Sequence, residues 1–180
     1  MKKIILTAFA ATSLLIYSTP SFAFSISLGM PMGHTVTGKT NGVATHEDGY
    51  DAPSGFLIGV QLPFAMGLGI DSYKTKLKET EVKLATDMYN IFYQLPIPVI
   101  NLIIGLGTGN QALECDGCAD AFDKGSATQW YTSIGFPILP LFDIHLSYRS
   151  ITSKNINIKE SDTKLDFSGS VTGVGFAFNF

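Results

Sequence analysis

The chain carries apolar residues at every second position in eight separate segments that follow residue 23. Segment 142–149 is the clearest example, because one of its rows is apolar and the other is polar. The rows are Phe142, Ile144, Leu146 and Tyr148 against Asp143, His145, Ser147 and Arg149. Hydrophobic residues make up 46% of the chain, yet after residue 23 no apolar run approaches the ~20 residues of a membrane-spanning helix. Alternation with a period of two predicts β-strands throughout.

The connections between these segments alternate in character. The segments are 24–34, 55–62, one that begins near residue 67, 83–95, 101–109, 129–136, 142–149 and 171–180. Three connections are tight and marked by proline: 63–66, 96–98 and 137–140. The other connections are polar loops at 38–54, 111–126 and 153–163, and a short charged one at 79–81. Short turns at one end and long loops at the other are typical of transmembrane barrels, in which every strand edge must be paired. We therefore predict an all-β fold, an eight-stranded antiparallel up-and-down transmembrane β-barrel.

The N-terminal segment predicts export. Lys2 and Lys3 precede an apolar run over 4–17, and Ser21 and Ala23 form a small-x-small cleavage site. We expect residues 1–23 to be a cleaved signal peptide and residues 24–180 to form the barrel domain. Cleavage leaves 10 basic against 15 acidic residues and moves the formal charge from -3 to -5. A chain this acidic is not expected to bind nucleic acid.

The parity of the strands predicts which side chains face the lumen. If the apolar rows face lipid, the opposite rows must fill a lumen just wide enough for side chains. The predicted lumen network consists of Gln61, Asp71, Asn90, Gln94, Asp143, His145 and Arg149. We expect Arg149 to pair with Asp71 or Asp143 and to plug the barrel, because an unpaired buried charge is costly. A soluble lipocalin-like barrel would need the opposite parity.

The last strand carries a second indication of class. Val174, Phe176, Phe178 and Phe180 form one row that ends on a terminal aromatic residue. In this terminal row and in the alternation of its strands, the chain over 24–180 resembles the small eight-stranded outer-membrane proteins of Gram-negative bacteria, the group of OmpX and the OmpA transmembrane domain. The resemblance implies a monomer in the outer membrane, assembled by the barrel assembly machinery, which reads the terminal row. It also implies surface loops that act in envelope integrity or adhesion, with an extracellular ligand that the sequence does not identify.

Two other functions are compatible with a barrel of this size. The His145-Leu146-Ser147 segment, with Glu160 as a distant acid, resembles part of the lipid A deacylase pattern, which implies ester hydrolysis by a Ser-His-acid group. The Asn that follows the Ser in that pattern is replaced here by Tyr148. A narrow channel for small solutes is the other alternative. We favour a non-enzymatic protein, with no catalytic residues.

Lys74, Lys76 and Lys78 continue an outward row beyond its apolar part. Lipopolysaccharide phosphates lie at that height, so these lysines are predicted to contact them. The alternative is a solvated strand end that only prevents edge pairing.

Cys115 and Cys118 lie in an acidic loop of a chain that is predicted to be exported. In an oxidising compartment the pair predicts a disulfide, and idle thiols are the alternative. The neighbouring acids at 114, 116, 120 and 123 do not have the spacing of an EF-hand. We therefore expect neither a metal nor a cofactor.

Overall fold

The computed structural model describes residues 24–40, 43–44, 49–95, 97, 100–139, 141–154, 156–159 and 163–180. The predicted signal peptide, residues 1–23, lies outside the described residues. Within the described part of the chain, no helix is long and apolar enough to cross a membrane.

Eight antiparallel strands close into one barrel. They are β1 (Ser25–Val36), β2 (Ser54–Gln61), β3 (Met66–Lys76), β4 (Lys83–Leu95), β5 (Asn101–Glu114), β6 (Gly125–Leu139), β7 (Phe142–Lys154) and β8 (Gly169–Asn179). Each strand pairs with the next along the chain, and β8 pairs with β1 from Ser25 opposite Asn179 to Val36 opposite Gly169. The predicted fold class is therefore confirmed.

Several strands are longer than their alternation indicates. Strand β4 has the predicted bounds, whereas β5, β6 and β7 run into segments predicted as loops. In the extensions at the long-loop end most outward residues are polar, so the hydrogen-bonded ladder continues after the apolar alternation has ended. Beyond the barrel, Lys39–Thr40 pairs with Val43–Ala44, Ile156–Asn157 pairs with Lys164–Leu165, and one short helix, α1, covers Cys118–Ala121.

A β-bulge in β1 reverses the parity predicted for the end of this strand. Pro31 pairs with Gly173, but the next paired residue is Gly33, opposite Thr172. Proline lacks the N–H that a regular ladder uses, and bulges are among the few places where strands tolerate it. As a result His34 is buried inside the barrel, and Gly33 lies on the outward row opposite Thr172.

The two faces of the wall differ as predicted. Outward residues such as Leu68 and Leu106 are 58% and 63% exposed, whereas Asp71 and Arg149 inside the barrel are 1% and 6% exposed. The barrel thus presents an apolar belt outward and buries its charges in the lumen. We call the end with the three proline-marked connections the short-turn end, and the opposite end the long-loop end.

Candidate functional site

A buried ion pair crosses the middle of the lumen. Arg149 of β7 donates from Nε to Asp71 Oδ2 at 2.9 Å and from a terminal nitrogen to Asp71 Oδ1 at 3.2 Å, so the contact with β3 is bidentate. A second terminal nitrogen donates to Ser147 Oγ at 2.6 Å. Of the two partners that the sequence allowed for Arg149, the structure therefore selects Asp71.

Neutral side chains surround this pair. Gln129 Nε2 donates to Asp71 Oδ2 at 2.7 Å and to Asn90 Oδ1 at 2.5 Å. The ring of Tyr131 lies 4.9 Å from the guanidinium carbon of Arg149, within cation–π range. We call these five residues, Asp71, Asn90, Gln129, Tyr131 and Arg149, the charged layer. Gln129 and Tyr131 both have inward parity on β6.

A second polar group fills the short-turn end of the lumen. Asp143 Oδ2 accepts hydrogen bonds from Asn101 Nδ2 and, at 3.0 Å, from Asn179 Nδ2. Gln94 Nε2 donates to Asn101 Oδ1 at 2.7 Å. Gln61 Oε1 accepts from Ser25 Oγ at 3.4 Å. The predicted lumen residues are thus all inside the barrel, but the structure divides them between two levels.

His145 and Ser147 face the lumen and have different hydrogen-bond partners. Ser147 Oγ accepts the bond from Arg149 and donates to the carbonyl oxygen of Gly173 at 3.3 Å. His145 Nδ1 instead lies 3.3 Å from Ser133 Oγ, and its Nε2 lies 3.8 Å from Asp143 Oδ2. Glu160, the proposed acid, lies outside the described residues.

The cavity beside this histidine has a volume of about 60 Å³, and its lining includes Ser27, Phe92, Ser133 and His145. It has room for a few water molecules, not for an acyl chain.

An apolar layer lies between the charged layer and the long-loop end. Its members are Leu57, Tyr73, Met88, Ala127, Ile151 and Val171, all buried. We call this layer the inner seal. Beyond it, His34 Nδ1 lies 2.8 Å from Thr75 Oγ1, and Gln111 Nε2 donates to Thr86 Oγ1 at 3.3 Å.

A second apolar cluster closes the long-loop end. Its buried members are Leu77, Leu84, Ile156 and Phe167, and we call them the outer seal. Tyr50 and Phe122 pack against this cluster, and burial raises the pKa of Tyr50 to about 12, so its phenol is neutral. The sequence reasoning missed this cluster, although isolated large apolar residues in the long connections could have indicated it.

The loop between β5 and β6 is folded back on itself. Cys115 and Cys118 form a disulfide, and Cys118 begins α1. Lys159, from the loop after β7, donates through Nζ to Ala119 O at 2.7 Å and through its backbone N–H to Ala121 O at 2.9 Å. Two long loops are therefore fixed to each other above the outer seal.

The three lysines predicted to contact lipopolysaccharide lie at the long-loop end. Lys74 Nζ is 2.7 Å from Glu114 Oε2, and Lys76 Nζ is 2.8 Å from Glu81 Oε1. The hydrogen bond and positive charge of Lys76 lower the pKa of Glu81. Lys78 follows β3 and donates its backbone N–H to Gly49 O at 3.2 Å. A phosphate would have to compete with carboxylates for two of these ammonium groups.

The predicted assembly row faces outward along β8. Phe176, Phe178 and Phe180 are exposed, and Val174 is half-buried. Phe142 of β7 packs against Phe176 and Phe178, with ring centroids 5.3 Å and 5.0 Å apart. The row is thus accessible from the membrane side of the wall.

A closed eight-stranded wall with an apolar exterior and a side-chain-filled lumen is the architecture of a small transmembrane β-barrel, the class to which this fold corresponds. Neisserial surface protein A is similar in structure, with a TM-score of 0.59 and 13% identity over 89% of this chain and 98% of that one. The N-terminal β-barrel domain of Pseudomonas aeruginosa OprF has a TM-score of 0.49 at 12% identity, over 87% of this chain and 97% of that one. For E. coli Outer Membrane Protein W the TM-score is 0.49 at 9% identity, over 88% and 97% of the two chains.

At these identities the similarity is one of fold. No protein-family model and no curated protein matches the sequence. The resemblance to small outer-membrane barrels is confirmed at the level of architecture, and the apolar belt agrees with the predicted outer-membrane location.

Proposed function

We propose that this protein is an outer-membrane barrel with a closed lumen, whose role in adhesion or envelope integrity is carried out by its long-loop end at the cell surface. The observation that carries the proposal is the packing of side chains across the lumen. The Asp71–Arg149 pair blocks the middle, and two apolar layers separate it from the long-loop end. With the lumen closed, the long loops are the part of the molecule available for contacts outside the cell.

A closed lumen predicts the absence of conductance. A hydrated ion would have to lose its water between the side chains of the inner seal, which contribute no charge to replace it. Purified protein in planar bilayers should therefore give no stable openings, with a known porin as the positive control. Discrete, reproducible single-channel steps would contradict the closed lumen and support the channel alternative.

The surface role can be tested at the loop that carries α1. The tip of this loop is exposed at Asp116, Asp120 and Asp123 and lies outside the barrel ladder. Replacing residues 115–124 by an Asn-Gly turn should leave β5 and β6 paired, which heat-modifiable gel migration would verify. Cells that display this variant should adhere less to cultured epithelial cells than cells with the full loop. Equal adhesion at equal surface amounts would argue against a contact through this loop.

We also propose that Lys74, Lys76 and Lys78 contact lipopolysaccharide phosphates. Exposed ion pairs contribute little to stability, so the pairs of Lys74 and Lys76 can be exchanged for a phosphate at small cost. The Lys74→Gln, Lys76→Gln variant should retain less lipopolysaccharide during purification. Lys124→Gln, at an exposed loop lysine, is the matched control. Equal retention by both variants would remove the proposal.

The hydrolase alternative has less geometric support. Ser147 is hydrogen-bonded to Arg149 inside the lumen, whereas an acyl ester of the outer leaflet would approach the outer wall. Mass spectrometry of lipid A from cells with and without the protein tests the reaction directly. A shortened acylation pattern that depends on His145 would establish the enzyme.

A further inference from the structure

The short-turn end of the barrel exposes large apolar side chains. Phe64 is 74% exposed and Leu139 is 61% exposed, in two different turns. With the neighbouring exposed residues they surround the barrel mouth, and we call the set the short-turn rim: Leu62, Phe64, Ile97, Ile138, Leu139 and Leu141. Apolar patches of this kind on a protein surface indicate contact with something other than water.

The rim also lacks charge. Each of the three hairpins that carry it is free of Lys, Arg, Asp and Glu over a long range of sequence, namely 52–70, 88–113 and 125–142. By contrast, the long-loop end carries Lys74, Glu114 and their neighbours on the outer face. The two ends of the barrel are therefore matched to different surroundings.

The backbone of the turns has few N–H groups that need water. Pro63 and Pro137 have none, and the sequence also places proline at 96, 98 and 140. Several of the remaining N–H groups donate within the protein: Leu62 to Met66 O at 2.7 Å, Gln94 to Ala65 O at 2.7 Å and Ile97 to Leu95 O at 2.8 Å. With fewer unpaired donors, such turns can lie directly against the hydrocarbon while their backbone stays in the interface, where water reaches the remaining carbonyl groups.

The length of the apolar belt points to the same surroundings. On β4 the outward apolar row runs from Tyr89 to Leu95 and ends at Asp87 on the long-loop side. Ser72, Asp87, Asn110 and Ser126 are paired in register across β3 to β6, so the polar boundary is continuous. Six steps of about 3.3 Å, tilted by about 40°, span about 15 Å along the membrane normal, against an apolar band of about 25 Å in barrels of this class. On β4 the strand alone therefore leaves the belt short of this thickness.

We propose that the apolar side chains of the short-turn rim reach into the acyl region of the periplasmic leaflet and complete the hydrophobic thickness of the barrel. The occupant of this surface is lipid, because the rim is continuous with the lipid-facing belt and its side chains carry no charge to pair with a polar partner. The barrel is therefore placed asymmetrically, with its short turns at the bilayer interface and its long-loop end projecting into water. This assignment is independent of any role of the loops at the cell surface.

Spin labelling tests the depth of the rim. Because Cys115 and Cys118 are bonded to each other, a cysteine introduced elsewhere is the single free thiol of the described chain. The labels are placed through Phe64→Cys and Leu139→Cys in the rim. Leu146→Cys in the outward belt and Thr152→Cys at the long-loop end are the matched controls, and all four positions are exposed. The protein is reconstituted in phosphatidylethanolamine–phosphatidylglycerol vesicles, and relaxation by oxygen is compared with relaxation by a water-soluble nickel chelate.

We expect both rim labels to behave as the Leu146→Cys label does, with high oxygen and low nickel accessibility. Nickel accessibility equal to that at Thr152→Cys would overturn the proposal. Protection that is absent from these vesicles and appears only in native membranes would also overturn it, because a protein partner would then cover the rim. The tryptophan variant Phe64→Trp, made in a Trp130→Phe background, provides a second readout through quenching by brominated acyl chains.

Discussion

Removing the carboxylate of Asp71 should be among the most destabilising single substitutions in the lumen. Asp71→Asn keeps the shape of the side chain but leaves the guanidinium of Arg149 without its counter-charge in a site where both residues are buried. Breaking a buried pair by removing one partner costs about 3–5 kcal/mol, because the other charge remains desolvated. We expect a loss of this size in the free energy of unfolding.

The double variant separates the charge from the packing. In Asp71→Leu, Arg149→Met the lumen holds no unpaired charge, so the loss should be much smaller than the sum of the two single losses, and replacement of a buried pair by apolar residues is often nearly neutral. Gln129 then loses one acceptor but keeps Asn90. The difference between the double variant and the sum of the singles measures the coupling in the charged layer.

Urea unfolding in phospholipid vesicles provides the measurement, followed through Trp130, the only tryptophan, which lies on the outer wall. Asp87→Asn is the matched control, since Asp87 is an exposed acid that accepts a hydrogen bond from Ser72 at 2.6 Å, and it should lose about 1 kcal/mol or less. A loss below about 1 kcal/mol for Asp71→Asn, or strictly additive losses in the cycle, would refute the assignment of a desolvated ion pair.

Three further predictions concern the ends of the barrel. Replacing Cys115 and Cys118 by serine should cost about 2 kcal/mol or less, because the ring is small, and should make the loop a protease target on intact cells while the barrel stays heat-modifiable. Lys76 lowers the pKa of Glu81, so the Lys76–Glu81 pair stabilises the fold fully at pH values above the pKa that Glu81 has in the unfolded chain. This stabilisation is lost as the pH falls through the lowered pKa of the folded protein. Glu81→Gln should remove this part of the acid dependence of urea unfolding. Phe180→Ser should slow the appearance of heat-modifiable protein in pulse-labelled cells without changing the final folded form, and an unchanged rate would exclude a role in assembly.

The barrel was predictable because lipid imposes a simple rule on the outward row. The lipid around the barrel does not accommodate charged side chains. Alternation in β7 alone therefore shows that Asp143 faces the lumen and Leu146 faces the lipid. The same rule limits the possible partners of Arg149 to two acids that face the lumen, Asp71 and Asp143. Choosing between Asp71 and Asp143 required the register of strands that are far apart in sequence, which a local pattern does not contain.

Other features depend on the competition between neighbouring interactions. The bulge at Pro31 moves His34 inward, and alternation read straight through that proline gives the wrong face. The outer seal brings together Leu84 and Phe167, which are far apart in the sequence. The alternation of residues within one strand therefore does not predict it. The strand extensions were missed because their outward residues are polar, and a polar row outside the membrane has the same composition as a loop.

Closure of the barrel depends on the pairing of its last strand, β8, with its first strand, β1. Strand β8 is the neighbour of both β1 and β7, so a ribosome that stops anywhere before Gly169 releases a polypeptide with two open sheet edges. No earlier segment can substitute, because β2 to β6 already have both of their neighbours and only β1 and β7 are left with an open edge. Synthesis of β8 is thus converted into a geometric property, closure, and a product without this strand keeps two unpaired sheet edges that can pair with other chains.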